Sequence, residues 1–227
     1  MALLCGKDLY RKTLVGIFDS GVGGQNSLRE LRRLRDKVDI IYLADYKNAP
    51  YGTKTKEEIL PIVSDNIKRL ISLGCERVLV ACCTASAMLG CLPVEIRPYA
   101  SGVIEPTLEK IKRSGHRRIA LIATDRTVSE GAFSIPKREV IAIRAQRLVG
   151  IVERGEWDSP YIDELIEKIR ETSATALILG CTHFSHLFDR FSAALSMMEI
   201  FSPATIGAAH FSKEINNFGE GRTEYIQ

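Results

Sequence analysis

Two apolar segments, about a hundred residues apart, end alike. Val78-Leu-Val-Ala-Cys82-Cys83-Thr84-Ala-Ser86 runs from a β-prone stretch into two thiols and a hydroxyl, and Ala176-Leu-Ile-Leu-Gly-Cys181-Thr182-His183 repeats the layout. Each reads as a strand that stops at a Cys-Thr pair opening a helix. Strand ends duplicated in this way restrict the chain to two similar halves, with one thiol on either side of a shared cleft.

The segments between them fit that restriction. Leu14-Val-Gly-Ile-Phe18 is a strand that stops at Asp19-Ser20-Gly21-Val-Gly23-Gly24, a turn with free backbone N–H groups ahead of a helix marked by Leu28, Leu31 and Leu34. Asp39–Leu43 is a second strand, leading into the turn-rich loop from Ala44 to Thr53. Ile59, Ile62, Val63, Ile67, Leu70 and Ile71 keep helical period up to Gly74. Pro93, Pro98 and Gly102 interrupt the pattern and place a domain boundary near residues 92–102. Beyond it come a helix from Glu105-Pro106, a strand at Arg118–Thr124 and a short strand at Val140–Ile143. Leu148–Glu153 is apolar with a carboxylate at its edge. Asp158-Ser159-Pro160 caps a helix through Ile169, and residues 206–218 form a last helix. Strands alternating with helices of ten or more residues mean a parallel α/β architecture.

Composition enters as a set of exclusions. Lys+Arg 31 against Asp+Glu 28 leaves a net charge of +3, too little to imply nucleic acid. The arginine-rich helix at Arg29, Arg32, Arg33 and Arg35 reads as an ordinary solvated face. No apolar run reaches the roughly 18 residues of a membrane span, and Met1–Asp8 lacks the pattern of a secretory leader, so a cytoplasmic protein is expected. The six cysteines, at 5, 75, 82, 83, 91 and 181, are irregularly spaced and are read as reduced thiols.

Two thiols facing each other across a cleft can work as an acid and a base. A thiol's reference pKa of about 8.5 is close enough to neutrality for one to abstract a proton while the other returns one on the opposite face. That is a racemase or epimerase mechanism without a cofactor. Asp19 and His183 are the candidates for orienting the thiols, and Thr84 and Thr182 could cap helices or bind substrate oxygen. Zinc on Cys82, Cys83, Cys181 and His183 is disfavoured, because structural sites space their cysteines and adjacent residues of a strand point opposite ways. A Cys82–Cys83 disulfide is sterically poor for the same reason. No motif points to pyridoxal phosphate or another cofactor.

Gly16–Gly24, Pro50-Tyr51-Gly52, Ala81-Cys82 with Thr84-Ala-Ser86, Gly102–Pro106 and Leu179–His183 together resemble the glutamate racemase family of the aspartate/glutamate racemase superfamily, over nearly the whole chain. The resemblance implies two pseudo-symmetric parallel-sheet α/β domains with the active site in the cleft between them. Residues 1–98 plus about 201–227 would form the first domain, with Cys82, and 99–200 the second, with Cys181. It also implies cofactor-independent supply of D-glutamate for peptidoglycan. Cys82 and Cys181 match the acid/base thiols, Asp19 and His183 the assisting groups, and Glu153 an acid helping the second thiol. Ser20, Pro50, Tyr51, Gly52, Cys83, Thr84, Thr124, Thr127 and Thr182 fall on substrate-contact positions. The implied partner is an acidic amino acid, with no nucleic acid and no membrane, and a homodimer is compatible with it. The chain departs from the family pattern at Cys83 (usually Asn), Ala44 and Tyr46 (Gly and Thr), Ala123 (Gly) and Glu130 (Ser), and is shorter between Phe133 and Val149. Aspartate or another dicarboxylate as substrate, isomerisation or decarboxylation, and a silent ligand-binding homologue stay open on these residues.

Overall fold

Short runs of β-branched and apolar residues, each closed by turn formers, become the strands of a computed structural model that describes residues 12–227. Cys5 and the leader reading of Met1–Asp8 lie outside the described residues. In chain order the strands are β1 (Leu14–Asp19), β2 (Asp39–Ala44), β3 (Arg77–Val80), β4 (Ala100–Gly102), β5 (Arg118–Ala123), β6 (Glu139–Arg144), β7 (Ala176–Gly180), β8 (Glu199–Phe201) and β9 (Thr223–Ile226). The helices between them are α1 (Gln25–Leu34), α2 (Lys56–Ser72), the single turn α3 (Cys83–Ser86), α4 (Ile104–Ser114), α5 (Asp125–Ser129), α6 (Gln146–Glu153), α7 (Pro160–Glu171), α8 (Phe188–Ala194) and α9 (Pro203–Phe211).

The strands form two wholly parallel sheets. The first has the order β4-β3-β1-β2-β9 and the second β6-β5-β7-β8. Read from the other edge, the second sheet is β8-β7-β5-β6, which matches β4-β3-β1-β2 strand for strand. The repeat seen in the sequence is therefore topological: β3 and β7 hold equivalent places, so Cys82 and Cys181 leave equivalent strand ends. The inner strands β1 and β7 are buried along almost their whole length, as parallel strands covered on both faces must be.

Local signals explain the helix limits. In α2, Thr55 and Glu58 form a reciprocal capping box, Ile59, Val63, Ile67 and Leu70 face the core, and Gly74 ends the segment at a φ of +93°, where a side chain would be strained. Ala100–Gly102 pairs with β3 as an edge strand of the first sheet, within the interrupted region 92–102. Two expectations are corrected. The last helix spans 203–211 rather than 206–218, starting where Pro203 supplies a preset first turn. Ser159 stands at the cap of α7 without a side-chain capping hydrogen bond.

The two halves share a core. Ile17 and Leu79 of the first sheet belong to one buried cluster with Leu121 and Ile178 of the second, and Ala208 and Phe211 of α9 join it. Helix α9 packs against α1 and α4 and reaches strands of both sheets, β3 and β7. Phe211 is fully buried. Phe211→Ala is therefore expected to cost about 3–5 kcal/mol of stability in denaturant unfolding. A loss below about 1 kcal/mol would contradict the shared core.

Candidate active site

Parallel strands put their C-terminal ends on one side, and here four such ends meet. Asp19 closes β1, Cys82 follows β3, Thr124 follows β5 and Cys181 follows β7. Hydrogen bonds tie the two halves across the gap. The Thr182 hydroxyl donates to Asp19 Oδ2 at 3.1 Å, the Thr84 and Thr124 hydroxyls lie 3.0 Å apart, and the Arg126 Nε–H donates to the Lys54 carbonyl at 2.8 Å. Ser20, Pro50, Tyr51, Gly52, Cys82, Thr84, Thr124, Glu153, Cys181 and His183 line the resulting narrow cleft, together with Ala49, Gln146 and Val149.

Each thiol has its own surroundings. Cys82 starts the turn of α3, with the Ala85 N–H directed at its sulfur and Ser20 Oγ 3.6 Å away. Burial, reinforced by the charge of Asp19, pushes its pKa up to about 12, so it is a protonated thiol at neutral pH. On the other side Cys181 Sγ lies 3.7 Å from His183 Nδ1, and His183 Nε2 lies 3.2 Å from Glu153 Oε1. Burial disfavours charge on His183, but the hydrogen bonds with Cys181 and Glu153 and the charges of Cys181 and Asp19 outweigh it and push the imidazole up to about 10. The same hydrogen bond from His183 holds the Glu153 carboxyl below its ordinary range. Sulfur, imidazole and carboxylate thus form a relay in which His183 is a cation at neutral pH.

Asp19 is fully buried behind the wall rather than on it. Its Oδ1 accepts the Gly21 N–H at 2.9 Å and its Oδ2 the Thr182 hydroxyl. Burial raises its pKa, opposed by His183 and by these hydrogen bonds. Thr127 and Thr182 also stand one layer back. Thr127 Oγ1 lies 3.1 Å from Thr84 Oγ1 and 2.9 Å from Thr124 Oγ1, so three hydroxyls clamp α3 to α5. The expectation that Thr84 and Thr182 cap helices is corrected: the cap positions are held by Cys82 and Cys181, and both hydroxyls bond across the halves instead.

Cys83 is likewise off the wall. The turn that begins at 83 swings its side chain into the core shared by the two sheets, and burial pushes its thiol well up. The residue beside Cys82 therefore fills a packing site. The Pro50–Gly52 loop is fixed from below: the Tyr51 hydroxyl donates to Asp45 Oδ2 at 2.6 Å, and Asn66 and Asn48 donate to the same carboxylate at 2.9 Å. Gly52 needs its bare Cα, because a Cβ there would collide with Gln146 and Thr124. Gln146 was not singled out in the sequence. Its signal is position alone, the second residue after the end of β6. Tyr46 stands exposed at the cleft mouth beside Pro50 and Glu153, and Glu130 bonds Arg126 at 3.1 Å outside it. Among the described residues no group of three or more His, Cys, Asp or Glu side chains is placed to hold a metal, and no helix is long and apolar enough to cross a membrane.

Two matched parallel sheets whose equivalent strand ends deliver a thiol each to one cleft define the class: an α/β racemase, an isomerase. The chain belongs to the Asp/Glu/Hydantoin racemase family, whose model matches residues 25–211. It is 38% identical over 190 residues to the glutamate racemase of Desulforudis audaxviator, spanning 78% of this chain and 70% of that protein. In three dimensions it is similar to the glutamate racemase of Thermus thermophilus, with a TM-score of 0.81 and 31% identity over 94% of this chain and 87% of the other. The Aquifex pyrophilus glutamate racemase gives a TM-score of 0.79 at 30% identity, over 95% and 90%.

Proposed function

We propose that the chain interconverts L- and D-glutamate by transferring a proton at Cα between Cys82 and Cys181. The observation that carries this reading is that both thiols open onto one cleft from equivalent strand ends, each with its own polar partner. One thiolate removes the Cα proton from one face, the carbanion-like charge spreads onto the α-carboxylate, and the opposite thiol delivers a proton to the other face. The hydroxyls of Ser20, Thr84 and Thr124 and the turn at Pro50–Gly52 are the groups available to the carboxylates, in a site too narrow to retain bulk water. With Cys82 protonated, the resting arrangement favours Cys82 as the first acid, facing Cys181 and its His183 partner across the cleft. Asp19 and Thr182 act through position, locking the two strand ends together.

The relatives named above are glutamate racemases, which supports glutamate over other acidic amino acids. Its D-enantiomer would serve peptidoglycan synthesis in the cytoplasm. Incubation in D2O with either enantiomer is expected to place deuterium at Cα of the product, read by proton NMR. If neither glutamate nor aspartate exchanges its Cα proton, the racemase reading is wrong for this chain.

A further inference from the structure

Nearly every polar side chain on the cleft wall already has a partner. Ser20 faces Cys82, Thr84 and Thr124 face each other, Tyr51 donates to Asp45, and His183 is bonded to Cys181 and Glu153. The exception is Gln146, whose Oε1 is shielded from solvent and accepts no hydrogen bond. A buried amide oxygen without a donor is costly, and proteins rarely retain one unless something completes it. Its position is not accidental. The Ala145 N–H donates to the Ala123 carbonyl at 2.8 Å, pinning the end of β6, and Gln146 then begins α6 with its head against Gly52 and Thr124. The oxygen therefore sits where the second sheet meets the Pro50–Gly52 loop of the first, on the wall of the cleft holding both thiols.

An unpartnered acceptor calls for a donor. An acidic amino acid at neutral pH carries one kind of donor, its α-ammonium; its two carboxylates only accept. We propose that Gln146 is a substrate-binding residue, its side-chain oxygen taking a hydrogen bond from the α-ammonium of the amino acid in the cleft. This rests on the racemase reading and extends it. Gln146 fixes the end of the substrate that identifies it as an amino acid, independently of the groups that hold its carboxylates. A contact to a non-reacting group is made equally in ground and transition states, so its loss appears in KM rather than kcat.

The experiment uses Gln146→Leu and Gln146→Met, which keep the volume and remove the oxygen, with glutarate as a probe that has both carboxylates and the five-carbon length but no ammonium. Both variants are expected to raise KM for L- and D-glutamate about tenfold or more with kcat little changed, the loss of one hydrogen bond to a charged group. Glutarate should inhibit wild type and variants alike, within about twofold. Unchanged KM in the variants, or equal weakening of glutamate and glutarate, overturns the assignment; the latter would mean that the amide serves a carboxylate or merely shapes the wall. Thermal melts with and without glutamate supply binding data should a variant be too weak for kinetics. A wild-type chain that neither exchanges the Cα proton nor is stabilised by glutamate fails the racemase reading itself. Exchange in wild type with unaltered KM in both variants fails this assignment alone.

Discussion

Cys82→Ser and Cys181→Ser are each expected to abolish racemisation, lowering kcat/KM by about 10²–10⁴-fold or more while the protein stays folded. A serine hydroxyl fits where the sulfur was but cannot serve as a base near neutrality, so each variant loses proton transfer on one face only. The remaining thiol should still exchange the Cα proton of the enantiomer that faces it. Cys82→Ser would then wash deuterium into one enantiomer without inverting it, and Cys181→Ser into the other. Polarimetry and proton NMR in D2O separate the two behaviours. Cys83→Ser is the internal control. Its side chain lies in the shared core and off the cleft wall, so it should cost about 1–3 kcal/mol of stability through an unpaired buried hydroxyl and leave racemisation far less affected. Racemisation within tenfold of wild type in either catalytic-thiol variant would remove that thiol from the mechanism.

The contrast between Cys82 and Cys83 also marks where sequence stops being informative. The β/α alternation is legible because β-branched runs and 3.6-residue periodicity are local properties, and the duplicated Cys-Thr ends reveal the pseudo-symmetry that β4-β3-β1-β2 and β8-β7-β5-β6 make explicit. Which of two neighbouring thiols reaches the cleft depends on the backbone turning helical at residue 83, a change too short for periodicity to register. The parallel strand β9 is hidden for a similar reason: Thr-Glu-Tyr-Ile becomes a strand through its pairing with β2, a partner about 180 residues away. The Thr182–Asp19 bond between the halves and the orphaned oxygen of Gln146 exist only once two distant strand ends are brought together. His183 and Glu153, by contrast, were each identifiable in the sequence. Their mutual bond was not, since 30 residues and all of α7 separate them.

That bond carries the second large effect. His183 is buried, and its pKa is raised from 6.5 to about 10 by Cys181 and Glu153 against the cost of burial. In the unfolded chain the imidazole reverts to about 6.5. Below that pH both states hold the proton and the stabilisation is present in full. Between about 6.5 and 10 only the folded state holds it, so the unfolded state binds fewer protons and stability falls as pH rises; above about 10 the contribution is gone. The loss should amount to a few kcal/mol, on the order of 1.4 per pKa unit. Denaturant unfolding between pH 6 and pH 10.5, for wild type and His183→Asn (ranges chosen about the two pKa values), should show a decline in the first that is largely missing from the second. Racemisation should follow the same group. The His183 cation lies 3.7 Å from the Cys181 sulfur, so wild-type kcat/KM is expected to fall as pH approaches 10 and that cation is lost, and His183→Asn to lose about 10²-fold at neutral pH and the alkaline limb with it. Glu153→Gln, which keeps a hydrogen-bond acceptor but removes a charge that is partly open to solvent, should shift the limb to lower pH with a smaller loss of rate. Identical pH profiles for wild type and His183→Asn would show that the imidazole packs the site without charging it.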